Sequence, residues 1–488
     1  MTVRPITLGE LADLVGGVPL GRADVGPDVV IDSRQATPGA LFVAVPGERV
    51  DGHDYLAAAA SGGAAAALTA RAVDADLPQV VVDDPVAALG RLARHVVDRE
   101  RARGLVVVGV TGSSGKTSTK DLIGQVLGTF GPSVVPPGSF NNEIGAPLTA
   151  CRVDADTRFL VSEMGARGIG HVRALTEVTP PDIGAVLNVG HAHVGEYGSV
   201  EGIARAKGEL VEALDAAGWA VLNADDPLVA AMADRTPARV ALFSVVGDPF
   251  DKLRGPDGLR QAQPPDLRVW ASDIEPDDLQ RFSFTLHAAG VVAGDAPVRL
   301  GVLGRHNVAN ALAAAAVALA AGLDLAGIAD ALTAARPQSR WRMELATRAD
   351  GLAILNDAYN ANPDSVAAAL HSLRGLRRPG GRIVAAVGDM LELGDTSAQA
   401  HHEVGELAAR LGVDEVLAIG EFGNHVIDGV AAGGGRGQYL TGKDELVRHL
   451  RASLGPRDVV LVKASRGLAL ETVADALLGP DDERGALP

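Results

Sequence analysis

At 488 residues, 47% hydrophobic but only 3% aromatic, the chain is too long for one hydrophobic core and reads as three domains packed mainly with Ala, Val and Leu. A net charge of −17 disfavours nucleic acid as a partner, because that binding rests largely on phosphate neutralisation. The single cysteine, Cys151, excludes an intrachain disulfide and suits a reducing cytoplasm, and the sequence offers neither a leader nor an apolar run of about 18 residues for membrane insertion.

Residues 1–98 read as a first, small α/β unit. It has a short helix over 5–15, strands over 29–33 and 40–45, and a helix over 86–100. The segments 57–60 and 64–67 read as alanine-rich helix interrupted by Gly62-Gly63. The second unit, 99–335, opens with a valine-rich run over 105–110, broken only by Gly109, that reads as a buried parallel strand. A helix over 117–127 follows, and buried strands recur at 158–163, 183–188, 219–223 and 240–244. This alternation predicts a doubly wound α/β sheet. Residues 247–300 are richer in Gly and Pro, and 281–286 alternates, which predicts a small antiparallel add-on before a helix over 307–321. Arg336-Pro337 opens the third unit, 336–488. Its strands at 352–356, 382–387, 415–419 and 458–463 predict a second, smaller Rossmann-like sheet, and the polar tail 479–488 is expected to fray.

Lysine is rare: 38 of the 44 basic residues are arginine, and the six lysines are Lys116, Lys120, Lys207, Lys252, Lys443 and Lys463. Lys116 closes Thr111-Gly112-Ser113-Ser114-Gly115-Lys116-Thr117, between a buried strand and a helix. There glycines admit backbone N–H groups to phosphate oxygens, and the helix N-terminus adds its dipole. Lys116 would bridge the β and γ phosphates and Thr117 would ligate Mg²⁺. Val110 stands where the longer form of the motif has glycine, so this is the short Gly-x-x-Gly-Lys-Thr form; the plain alternative is a glycine turn before an ordinary helix.

Glu163 ends a buried strand, where a carboxylate can hold a metal on phosphates or simply meet solvent. His191 and His193 form a His-x-His pair after another strand, either metal ligands or loop histidines. Lys207 falls on the apolar face made by Val200, Ile203, Ala204, Leu210, Val211 and Leu214. It could snorkel, pair with Glu163 or Asp225, or, with a depressed pKa, add CO₂ and become a carbamate able to ligate Mg²⁺. The run Asn356-Asp357-Ala358-Tyr359-Asn360-Ala361-Asn362-Pro363-Asp364-Ser365 lies between a strand and a helix whose first turn suits Pro363. It is too dense in Asn, Asp and Tyr for turn chemistry alone and reads as a ligand loop, with Lys463-Ala464-Ser465-Arg466 on the same sheet edge.

In this order, the short phosphate loop, Asn188…His193 and Ala206-Lys207-Gly208-Glu209 resemble the Mur ligase family, ATP-dependent amide-forming enzymes of peptidoglycan assembly. Further matching segments are Asp32-Ser33-Arg34, 47–53, 140–145, 223–227, 304–307, 356–365 and 388–394, so the likeness runs over about 30–470. Ala464 departs from the glycine usual before the Ser-Arg pair. The resemblance implies three domains: an N-terminal substrate domain, a central P-loop ATPase-type sheet, and a Rossmann-like C-terminal domain closing over it. It implies ATP and a pair of Mg²⁺ ions as cofactors, and a carbamylated Lys207, with Thr117, Glu163, His193 and Lys207 as the metal set. Lys116, Lys207 and His193 would carry catalysis. Gly112, Ser113, Ser114, Gly115, Lys116, Thr117, Ser118, Asn307, Asn310, Arg342 and Asp357 would hold the nucleotide. Ser33, Arg34, Asn141, Asn142, Tyr359, Asn360, Asn362, Lys463, Ser465 and Arg466 would hold the other substrates. Those substrates would be a UDP-N-acetylmuramoyl-tripeptide and D-alanyl-D-alanine, joined by a cytoplasmic monomer; the alternative is another Mur-type ligase or a folylpolyglutamate synthase-like ligase.

Overall fold

The structure, a computed structural model, describes residues 6–47, 50–190, 197–249, 265–479 and 483–484. It contains three large α/β sheets in chain order. The first runs Val18–Leu20, Gln79–Val81, Ala66–Thr69, Leu41–Val43, Val29–Val30 and is parallel except for its Val18–Leu20 edge. The strand Ala66–Thr69 corrects the expectation of helix over 64–67. All four of its residues are buried between neighbouring strands, and that tertiary burial overrides the weak helical preference of alanine. The expected strand over 29–33 is also shorter: Ser33–Gln35 forms a 3₁₀ turn capped by Asp32.

The helix Pro85–Arg101 carries the chain to the second sheet. Asp84 caps it, accepting from the N–H groups of Val86 and Ala87, and Pro85 sits in its first turn where a missing N–H costs nothing. Its apolar face joins the first sheet's core to Val107, Leu148 and Leu160 of the second unit, so these two units share one hydrophobic cluster.

The second sheet has nine strands. Ser133–Val134, Phe159–Glu163, Val106–Thr111, Ile183–Val186, Trp219–Asn223 and Arg239–Ser244 are parallel neighbours. The antiparallel add-on is present, joined to the edge of the central sheet. Leu267–Pro276 pairs in parallel with Arg239–Ser244, so the hairpins through Arg281–Gly290 and Gly294–Leu303 extend the central sheet. The helices Lys116–Gly128 and His306–Ala320 cover one face; the second is alanine-rich and buried along nearly its whole length. On the other face lies Val200–Glu212. Gly109, the lone break in the valine run, explains how closely: a methyl group there would lie 2.8 Å from Leu210 Cδ1.

The third sheet runs Gly437–Tyr439, Glu415–Ala418, Ile383–Val387, Val459–Lys463, Ala353–Asn356, Glu344–Thr347, Glu483–Arg484. Its first five strands are parallel. Glu344–Thr347 was not anticipated, and Glu483–Arg484 pairs with it inside the tail expected to fray. Ala464 is fully buried 2.9 Å from where a methyl group on Gly388 would stand, so a glycine opposite accommodates the departure at 464.

Candidate active site

Three central strands end on one edge. Val106–Thr111 lies between Phe159–Glu163 and Ile183–Val186, and the loops leaving their carboxyl ends converge there, where open α/β sheets bind ligands. Gly115, at φ +77, starts the helix that begins at Lys116. The loop is tightly braced: Ser113 N donates to Asn188 O at 3.1 Å and Ser114 N to Asn188 Oδ1 at 2.9 Å. Lys116 Nζ turns back to Gly112 O at 2.6 Å. Burial lowers the Lys116 pKa, opposed by the nearby Glu163 carboxylate and reinforced by Arg342.

Glu163 is 1% exposed. Its Oε1 accepts from Asn141 Nδ2 at 2.7 Å and Thr117 Oγ1 at 3.3 Å, while Oε2 is buried without a hydrogen-bond partner. Thr117 Oγ1 also meets Ser139 Oγ at 2.8 Å, and Ser139 accepts from Arg342 Nη2 at 2.9 Å. Arg342 comes from the segment entering the third sheet. Its neighbours Trp341 and Met343 take left-handed backbone, φ 60 and 48, a strained arrangement that aims the guanidinium across to the phosphate loop.

Lys207 is 5% exposed on the Val200–Glu212 helix. No ion pair joins it to Glu163 or Asp225, and among the described residues its Nζ has no hydrogen-bond partner. Burial, with the Lys116 charge adding to it, pushes its pKa well below the usual lysine range. Glu209, two residues on, has another use. Its carboxylate accepts from Gly170 N at 2.6 Å and Arg173 N at 3.0 Å, capping the neighbouring helix His171–Val178 from outside.

The third sheet presents its own strand ends opposite. Lys463 Nζ donates to Asp357 Oδ2 at 2.5 Å and Asn360 O at 3.0 Å, and Asp357 Oδ1 accepts from Met343 N. Tyr359 lies under the Arg342 guanidinium, 4.2 Å from ring centre to Cζ. Asn362 caps the helix Pro363–Gly375 in a reciprocal box with Ser365. Ser465 Oγ accepts from Leu391 N, and Arg466 pairs with Glu471 and lies over the Trp341 ring.

A cavity of about 1440 Å³ joins these two faces. Gly112 through Ser118, Asn141, Asn142, Glu163, Lys207, Asn310, Arg342, Asp357, Tyr359, Asn360, Asn362, Lys463 and Arg466 all line it. Ser465 lies just behind, buried, and Asn307 lines a smaller adjoining cavity. The Asn307 and Asn310 amides are engaged internally, Asn310 Nδ2 to Asn307 Oδ1 at 2.8 Å and Thr119 Oγ1 to Asn310 Oδ1 at 3.0 Å, bracing the phosphate loop from behind. Ser33 and Arg34 are not brought to this cavity. The exposed Arg34 grips Asp32 in a two-point pair, and that hydrogen bonding lowers the Asp32 pKa to about 2. His191 and His193 lie outside the described residues.

Sequence reasoning missed Ser139, which links Thr117 to Arg342, and His306, whose buried Nδ1 has no partner and whose pKa burial lowers. Ser139 sits just before the quoted 140–145 segment, and nothing local distinguishes it; His306 was visible inside 304–307 but without a role. Asp364 was likewise inside a quoted run.

Three family models match the chain: "Mur ligase family, catalytic domain" over 28–97, "Mur ligase middle domain" over 110–318, and "Mur ligase, glutamate ligase domain" over 341–466. A protein of Mycobacterium tuberculosis named UDP-N-acetylmuramoyl-tripeptide–D-alanyl-D-alanine ligase is 43% identical, across 98% of both chains. Its namesake from Escherichia coli is 36% identical over 97% of this chain and 98% of its own. Among solved structures, MurF from Acinetobacter baumannii superposes with a TM-score of 0.82 at 30% identity, covering 98% of this chain and 99% of that one. MurF ligase from Thermotoga maritima in complex with ADP gives 0.74 at 27% identity, with 92% and 96% covered. With a phosphate loop, a buried lysine without a partner among the described residues and the opposing 356–365 loop in one cavity, and with relatives matching from end to end, the chain belongs to the Mur ligase family.

Proposed function

We propose that this protein joins D-alanyl-D-alanine to a UDP-N-acetylmuramoyl-tripeptide through an amide bond, converting ATP to ADP and phosphate. The observation that carries the reading is the single cavity in which the phosphate loop, Glu163 and Lys207 face the 356–365 loop. The full-length relatives of that name and the ADP-bound relative support it. The first unit (1–98) would hold the nucleotide-sugar through Ser33 and Arg34, the second (99–335) ATP, and the third (336–488) the dipeptide. No helix among the described residues is long and apolar enough to cross a membrane. We place the protein in the cytoplasm, as a monomer, where ATP and nucleotide-linked substrates are found.

The tripeptide's terminal carboxylate attacks the γ-phosphorus of ATP; the bond to the β-phosphate oxygen breaks, and an acyl phosphate and ADP result. The dipeptide nitrogen then forms the C–N bond as phosphate leaves. The protein's task is positioning and charge neutralisation. Lys116 meets the phosphates, and Arg342, held between Ser139 and Tyr359, brings a second positive charge from across the cavity.

Mg²⁺ fits the donors present. Among the described residues no trio of His, Cys, Asp or Glu gathers into a metal cage. Glu163 Oε2 is nevertheless a buried, unpartnered carboxylate oxygen beside the Thr117 hydroxyl, and Mg²⁺ characteristically takes one or two carboxylates plus substrate phosphates. Thr117, Glu163, His193 and Lys207 as its carbamate would hold it, and when bound it would supply neutralisation of phosphate charge. A neutral, desolvated lysine amine can attack CO₂, forming the N–C bond and losing a proton, and the resulting carbamate has the sign a metal ligand needs.

Purified protein should release phosphate from ATP only when Mg²⁺, UDP-N-acetylmuramoyl-tripeptide and D-alanyl-D-alanine are all supplied. Equal turnover with a single amino acid in place of the dipeptide would overturn the reading.

A further inference from the structure

Asp364 occupies the first turn of the Pro363–Gly375 helix, yet it does not cap that helix. Capping is done by Asn362 and Ser365, whose side chains exchange hydrogen bonds with each other's backbone N–H at 2.8 and 3.0 Å. Among the described residues the Asp364 carboxylate has no hydrogen-bond or ion-pair partner, and it lines the shared cavity. Of the carboxylates nearby, Asp357 is paired with Lys463, and Glu163 has Oε1 taken by Asn141 and Thr117 while its Oε2 is buried without a partner.

Like Arg342, it reaches from the third unit to the second. A methyl group built on Gly190 would lie 2.3 Å from Asp364 Oδ2 and 3.4 Å from Ser113 Cβ. The carboxylate therefore reaches the backbone at Gly190, beside the phosphate loop, and a side chain at 190 would have to displace it. Gly190 is itself held there, its N–H donating to Ser113 Oγ at 2.9 Å. A free negative charge, favoured by the helix N-terminus, thus stands beside the loop where the transferred phosphate would be. An anion in that place repels ATP and an acyl phosphate, so its natural complement is a cation arriving from the acceptor side. The dipeptide's α-ammonium has to come to this place to react and carries the matching charge; Mg²⁺ and an amine on the tripeptide are the competing cations, and the kinetics of Asp364→Asn separate them.

We propose that Asp364 binds the α-ammonium of the incoming dipeptide and holds its nitrogen toward the acyl group. This rests on the ligase reading above and adds to it the residue that receives the nucleophile. The ammonium gives one proton to water, and the nitrogen forms the C–N bond. The C–O bond to phosphate breaks with its electron pair on phosphate, which leaves as hydrogen phosphate after taking a second proton, and the amide keeps the third.

Asp364→Asn keeps shape and removes the charge, so it separates this role from packing. The KM for D-alanyl-D-alanine should rise about 10- to 100-fold, the range for losing a hydrogen bond to a charged group. The KM values for ATP and the UDP substrate should stay within about twofold, and Asp364→Glu should recover part of the loss. In the same preparation, hydroxylamine replaces the dipeptide. It is largely uncharged at neutral pH and has no ammonium to anchor, so hydroxamate and ADP should form at the unmutated rate. An unchanged dipeptide KM would overturn the proposal. An equal fall in hydroxamate formation would also overturn it, moving Asp364 to the phosphate or metal chemistry. If the unmutated protein makes hydroxamate but does not ligate the dipeptide, the ligase reading itself fails, which is a different result.

Discussion

Lys207 and Lys463 are both buried, 5% and 2% exposed, and both stand at the wall of the same cavity, but among the described residues only Lys463 is paired. Lys463 closes an ion pair with Asp357 at 2.5 Å and reaches the Asn360 carbonyl, so its charge holds the backbone of the 356–365 loop. Lys207 has no described partner and another cation nearby, which favours the neutral amine. The difference shows that burial alone does not mark a reactive lysine. Burial without a counter-charge does, because desolvation then falls on the ammonium and leaves a nucleophile.

Removing the partner tests the paired side most severely. Asp357→Ala strands a buried ammonium and should cost about 3–5 kcal/mol of stability, read as a lower midpoint in urea. Replacing both partners, Asp357→Leu with Lys463→Met, should return much of that stability. If Asp357→Ala is nearly neutral for folding, the two lysines do not differ in the way described.

On the unpaired side the loss should be in turnover. Lys207→Ala and Lys207→Arg should fold but lose about 10²–10³-fold in kcat, the scale for removing one preorganised charge-stabilising group. Acetate should partly rescue Lys207→Ala by restoring carboxylate oxygens, and CO₂-depleted buffer should slow the unmutated protein. Full activity in Lys207→Arg would mean that position 207 needs only positive charge.

The smallest effect is on pH dependence. Because the folded pKa of Lys207 lies below its unfolded value, the unfolded chain binds the extra proton between the two. Stability contributed at this position therefore rises with pH through that window and is lowest below the folded pKa. Lys207→Met should raise the melting temperature by a few degrees at neutral pH, and the gain should shrink as pH climbs toward the ordinary lysine range. A gain independent of pH would point to better packing instead of relieved charge burial.

The Lys116 loop, the parallel strands around it and the 356–365 loop were all legible in the sequence, because each is local. A valine run, a glycine turn and a proline in the first helical turn leave marks within ten residues or so. The segment 64–67 was misread because its alanines favour helix locally, and only burial between neighbouring strands overrides that preference. The placement of 267–303 was also out of reach, since the edge a hairpin joins depends on which central strand is left unpaired.

By itself the chain determined its α/β class, its phosphate loop and the apolar helix face on which Lys207 sits. Periodicity and glycine spacing act over one or two turns, and they need no partner to be read. Tertiary structure alone decided that Lys207 goes without a partner among the described residues while Lys463 does not, that Glu163 keeps a free buried oxygen, and that Asp364 reaches the backbone at Gly190 beside the phosphate loop. Each of these depends on groups brought together from separate strands or separate sheets. Counter-charge and desolvation are properties of the assembled cavity, and no stretch of sequence carries them.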